Sequence, residues 1–167
     1  MKSLNKKELK ELLIKCWMTH DGMWFYQCLK ECGIEKTNKI NKAAIKSMAK
    51  IEINRITKIF DLEKINNFQE LQNLIDKALE VFQADFMGLT FNFPLNNQVH
   101  FEMNPCFAYN GIKRLGVIDK YECGIFDRIE GWFEAIDIKY SVVPKIEGCL
   151  MHTDGNCFRD YSFFFND

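Results

Sequence analysis

The chain has 167 residues, 47% of them hydrophobic, and a formal net charge of −1. That length fits one domain with a real core; the charge leaves no electrostatic footprint for nucleic acid, and no apolar run approaches the ~20 residues needed to cross a bilayer. Seven cysteines with no export signal point to a reducing, cytosolic compartment and to free thiols or metal ligands.

The first half reads as helical. Asn5 and Glu8 are spaced as a capping box, with Asn in place of Ser or Thr. Leu9, Leu12, Leu13, Cys16 and Trp17 follow at helical spacing, and the stripe runs on through His20, Trp24 and Cys28. This stripe is expected to face inward, with Gly33 as C-cap. A second helix is expected from about Asn38 to Phe60, with Ala44, Met48, Ile51 and Ile59 on one side. A third follows Asn67 and Glu70 and buries Leu71, Leu74, Ile75, Ala78, Leu79 and Phe82.

The period then changes from helix to strand. Leu89, Phe91 and Phe93 alternate with polar residues, as do Val99, Phe101 and Met103, which predicts a β-hairpin. Two helices are expected next, from Pro105 to about Leu115 and from about Asp119 to Ile136. Ile138, Tyr140 and Val142 alternate again, and Ile146–Met151 with Phe158–Phe165 would form a closing hairpin. The expected fold is α+β: N-terminal helices on a mostly antiparallel sheet, two helices inserted between strands, and a C-terminal hairpin. One domain covers 1–167, helical to about 84 and strand-rich from about 85. Fifteen Phe imply either a thick core or an apolar pocket.

Four late cysteines carry the chemistry: Cys106, Cys123, Cys149 and Cys157. Asn104-Pro105 before Cys106 reads as a helix start, where backbone amides favour a thiolate; without a metal, Cys106 should have the lowest thiol pKa of the chain. Asp154-Gly155-Asn156 reads as a tight turn that folds Cys149 back towards Cys157. The spacing lacks a tight C-x2-C knuckle, so three readings stay open: inert packing, zinc or iron ligation, and a reactive thiol. Cys123, Asp127 and Glu130 would share one helix face, as an acidic surface or a polar wall beside the thiols. His152 is a fourth-ligand or general-base candidate, with Cys106 as the catalytic thiol. His20, Asp21, Trp24 and Arg55 form a candidate ligand-binding group in the helical half, and Gly22 implies a kink or a close approach. Glu52 and Arg55, three apart, read equally well as a surface pair.

Cys106, Gly111, Glu147-x-Cys149, Asp154-Gly155 and Cys157 with its aromatic strand resemble the 4-vinyl reductase domain over roughly residues 86–165. That resemblance implies an α+β small-molecule-binding fold and makes Cys106, Cys149 and Cys157 metal ligands. The chain departs from it in its extra Cys123 and in having Asp-Gly where the family has Gly-Asp. The whole chain, with its His20-Asp21-Gly22-x-Trp24 element, is similar to small prokaryotic aminothiazoline-carboxylate hydrolase-like proteins. The combined expectation is a small-molecule-binding domain with a cysteine-lined, metal-bearing site. The alternatives are a hydrolase opening a small sulfur- or nitrogen-containing ring and a structural module with inert cysteines. Partners are expected to be a small ligand rather than nucleic acid or membrane, with a homodimer left open.

Overall fold

A computed structural model of the chain describes residues 3–62, 64–145 and 147–165. The Asn5 side chain accepts from the Glu8 amide at 2.9 Å and the Asn5 amide donates to Glu8 Oε2 at 2.9 Å, so the capping box starts helix α1, Lys6–Ile59. Gly33, at φ 73° and ψ 170°, kinks α1 and divides it into two halves. The left-handed φ is one that glycine adopts without a Cβ penalty. Helix α2, Phe68–Phe82, starts where the Asn67 side chain accepts from the Glu70 amide, and it buries Leu71, Leu74, Ile75 and Ala78.

Four antiparallel strands follow: β1 Leu89–Asn92, β2 Gln98–Met103, β3 Lys139–Val143 and β4 Phe158–Phe164. They lie in the order β1-β2-β4-β3. The expected first hairpin pairs Phe91 with Phe101. Between β2 and β3 come helix α3, Phe107–Arg114, and helix α4, Ile125–Ala135; a short helix α5, Leu150–Thr153, precedes β4. The fold is therefore α+β, with helices packed on one face of an antiparallel sheet. Val99, Phe101 and Met103 of β2 and Tyr161 and Phe163 of β4 meet Phe126, Ile129 and Phe133 of α4 in the core.

Three expectations are corrected. The inward side of α1's first half is Ile14, Trp17, Met18 and Phe25; of the expected stripe Trp17 and Cys28 are partly buried, whereas Leu9, Leu12, Leu13, Cys16, His20 and Trp24 are exposed. In its second half Ala49, Ile53 and Ile56 are buried, whereas Ala44, Ile51 and Ile59 are exposed. The strand beside β4 at the closing edge is β3 rather than 146–151: Leu150–Met151 are helical, and Ile146 lies outside the described residues.

The two helical layers are clamped by one buried ion pair. Glu52 on α1, 7% exposed, accepts from Arg128 Nε at 2.8 Å and Nη2 at 2.5 Å, and from Trp132 Nε1 at 2.8 Å. The Arg128 guanidinium also stacks on Trp17, Phe82 and Trp132. Close approach is allowed by Gly131, where a Cβ would lie 2.9 Å from the Ala49 Cβ. Removing one member of a buried pair strands the other, at a cost of about 3–5 kcal/mol. Glu52→Ala should therefore lower stability by about 3 kcal/mol or more in urea unfolding, while Arg55→Ala, at an exposed site, should stay within about 0.5 kcal/mol of the parent. Equal effects of the two would remove the clamp from this account.

Candidate cysteine-lined site

All seven cysteines are free thiols. Four come from separate segments whose ends meet. Cys106 is the N-cap of α3, where the amides of Tyr109 and Ala108 face its sulfur. The helix thus starts two residues after Pro105, and the cap is the cysteine itself instead of Asn104. Cys123 lies two residues before α4, not on it, so it does not extend the Asp127–Glu130 face; the Ile125 amide favours its thiolate. Cys149 is the N-cap of α5, and Cys157 immediately precedes β4. Backbone bonds hold these ends together: Cys123 N donates to Gly148 O at 3.4 Å, and Met103 N donates to Cys157 O at 2.9 Å.

The segment entering Cys106 is fixed by Gly88. Its carbonyl accepts from Asn104 N at 2.8 Å. A Cβ on Gly88, at φ +57°, would lie 2.5 Å from Asn104 O. The segment entering Cys123 is fixed by Asn38, which is buried just past the α1 kink. Its Nδ2 donates to Lys120 O at 2.7 Å and its Oδ1 accepts from Glu122 N at 3.2 Å. Phe25 of α1 packs edge-on against Tyr121, whose hydroxyl neighbours Cys123.

The thiols sense one another. Charge on Cys149 raises the pKa of Cys106, Cys123 and Cys157; charge on Cys106 raises Cys123 and Cys157; charge on Cys123 raises Cys157. Such couplings operate only at short range. Cys106, Cys149 and Cys157 are buried, and Cys123 is half-buried. Burial is the largest effect, pushing Cys123 and Cys157 up to about 12. Burial also pushes Cys106 up, outweighing the α3 amides. The helix start alone therefore does not make Cys106 an acidic thiol. As the side chains stand, no set of three or more His, Cys, Asp and Glu among the described residues is assembled to hold a metal ion.

A polar group adjoins the thiols along β4. Arg159 and Tyr161 follow Cys157 on the strand's inward face; Arg159 pairs with Glu130 of α4 and stacks on Phe126. Arg159 Nε and the Tyr161 hydroxyl are buried without a hydrogen-bond partner among the described residues. Burial pushes the Glu130 and Asp127 carboxyls up. A charged residue on the apolar side of a strand is the signal that marks Arg159 in the sequence. Asn38 and the Glu52–Arg128 pair carry no comparable local signal.

The remaining candidates stand apart. His20 and Asp21 are exposed neighbours 3.5 Å apart, Trp24 is 60% exposed and faces out, and Arg55 is exposed on the other half of α1. Neither the surface cleft around Glu11 and Asp85 nor the apolar gap between Ile53, Leu74 and Trp132 includes any of the four. His152 is exposed at the rim of the thiol group, its Nε2 2.9 Å from Asp119 Oδ1 and its ring beside Tyr109.

The chain belongs to a family of unknown function (DUF6125), whose sequence profile matches residues 2–154. The match takes in Cys106, Cys123 and Cys149 and ends before Cys157. No curated protein and no solved structure matches the chain. No helix among the described residues is long and apolar enough to cross a membrane.

Two predictions follow from this geometry. A thiol raised from 9.0 to about 12, as at Cys123 and Cys157, holds its proton more firmly folded than unfolded. Its contribution is full below pH 9 and is lost as pH rises towards about 12. Metal-free chain should therefore lose urea stability steadily over that interval, because the unfolded thiols ionise there while the folded ones keep their protons; flat stability there would contradict buried neutral thiols. Separately, Tyr161→Phe removes a buried hydroxyl that has no hydrogen-bond partner among the described residues. It should leave the ligand-free chain as stable as the parent or up to about 1 kcal/mol more so, and a loss above about 1 kcal/mol would mean that the hydroxyl is satisfied.

Proposed function

We propose that this chain is a small-molecule-binding domain whose ligand site is built on a metal held by Cys106, Cys123, Cys149 and Cys157. The observation that carries the reading is the convergence of four cysteines from four separate segments, with the Cys123 amide bonded to the Gly148 carbonyl and the Met103 amide to the Cys157 carbonyl. Buried thiols that oppose one another's ionisation are poor nucleophiles. A cation removes both the burial penalty and the repulsion, because thiolates are its ligands. An all-sulfur donor set suits zinc or iron. The amides facing Cys106 and Cys123 would orient and stabilise the thiolates, and a metal held by all four would be coordinatively closed, bracing the end of the sheet against which the ligand would lie. Arg159 Nε and the Tyr161 hydroxyl provide buried donors for an acceptor atom of the ligand.

A second reading, hydrolysis of a small sulfur- or nitrogen-containing ring, is favoured by the His152–Asp119 pair at the rim. There Asp119 would orient the imidazole as a base for water. Incubation with 2-aminothiazoline-4-carboxylate tests it: ring loss that His152→Ala abolishes at unchanged metal content supports this reading, and no ring loss removes it.

Elemental analysis of protein purified anaerobically under reducing conditions tests the first reading. About one zinc or iron per chain is expected, falling in Cys→Ser variants at each of the four positions but not in Cys16→Ser. Metal affinity should rise with pH, since binding displaces thiol protons. A metal-free chain that takes up neither added zinc nor added iron would sink it.

A further inference from the structure

The first half of α1 is apolar on two opposite sides. Its inner side, Ile14, Met18 and Phe25, packs on Met87 and Tyr121. Its outer side carries Leu9 at 48% exposure, Leu13 at 60%, Met23 at 56% and Trp24 at 60%, with Cys16 and His20 also exposed between them. On a 3.6-residue helix these fall in one stripe, which runs for about 27 Å to Gln27. Solvated helices seldom carry two such stripes, because the outer one gains nothing unless something covers it. The helix that presents it is held firmly: Lys7 pairs with Asp85 at 2.7 Å, Lys10 Nζ donates to Glu80 O at 2.6 Å, and Glu11 accepts from Asp85 N at 2.7 Å. The stripe is thus a fixed surface, not a frayed end.

Charge identifies what fits it. Lys6 and Glu31 lie on the same flank of the stripe at opposite ends, and among the described residues neither has an ion-pair or hydrogen-bond partner. A second copy laid parallel would bring Lys6 to Lys6 and Glu31 to Glu31. Laid antiparallel, with a two-fold axis level with Met18 and Thr19, it brings Lys6 to Glu31 twice. The same register sets Leu13 against Trp24, again twice by symmetry. We infer that this chain forms an antiparallel homodimer through the outer stripe of α1, apolar along the seam and closed at both ends by Lys6–Glu31 pairs.

Sedimentation equilibrium of the full chain tests this, with circular dichroism to confirm that each variant keeps its helix content. The parent should sediment as a dimer of the 19.7 kDa chain at micromolar concentration. Leu13→Glu and Trp24→Glu, at side chains the fold leaves exposed, should each raise the dimer dissociation constant at least a hundredfold. Lys6→Glu and Glu31→Lys should each weaken it several-fold, and the double variant should restore it. A parent that is monomeric throughout leaves the stripe to a different protein or a lipid surface and overturns the inference. So does a dimer indifferent to Leu13→Glu and Trp24→Glu, or a charge exchange that fails to restore association. None of these readouts depends on metal content, so the dimer and the thiol site stand or fall separately.

Discussion

The contact between Glu52 and Arg128 is the constraint on which the remaining architecture depends. A carboxylate 7% exposed in the middle of a helix is tolerable only because three N–H groups, two from Arg128 and one from Trp132, satisfy it. Those donors sit on α4, so the pair fixes α4 in both rotation and height against α1. Once α4 is fixed, Phe126, Ile129 and Phe133 must face the sheet, and the chain entering α4 must arrive beside Asn38. The placement of Cys123 is thus decided by a contact three residues down the helix from its start. A Lys in place of Arg128 would keep the charge but lose the fork that engages the carboxylate and the flat surface that stacks on Phe82.

The thiol group illustrates a conflict between burial and ionisation. Helix starts place partial positive charge near Cys106 and Cys123, which taken alone favours thiolates. Apolar surroundings oppose this, and for Cys106, Cys123 and Cys157 desolvation is the larger effect. The amides are therefore better understood as arranged for sulfur that already carries charge than as a means of creating it. Arg159, which lowers the pKa of Cys157 only in part, lies on the same strand face and is already engaged by Glu130.

Local determinants were legible in the amino-acid sequence; long-range ones were not. The caps at Asn5 and Asn67, the apolar face of α2 and the first hairpin depend on residues within a few positions, and all are found where spacing puts them. The orientation of α1's first half could not be read, because apolar residues recur at helical spacing on both its sides. A short 3-10 turn at Ile118–Lys120 followed by non-helical backbone over 121–124, in place of an early start for α4, reflects hydrogen bonds from Asn38, 82 and 84 residues away. The strand 158–164 was legible, but its neighbour was not, since register across a sheet is set by partners and not by alternation. At the site, the meeting of Cys149 and Cys157 follows from the turn between them. The arrival of Cys106 and Cys123 depends on Gly88 and Asn38, which no spacing rule marks.

The sheet's two rims are β1, four residues long, and β3, five residues long. Just past them stand Pro94 and Pro144, each without the amide hydrogen that an added strand would need. Lys139 and Ser141 point outward from β3, giving that rim a polar border. A fifth strand from another chain would find few donors and an early stop at either rim, and a charged side chain at β3. The sheet is thereby kept from growing into a longer β-structure, and a chain with fifteen Phe can hold its aromatic strands together without offering them as a template for aggregation.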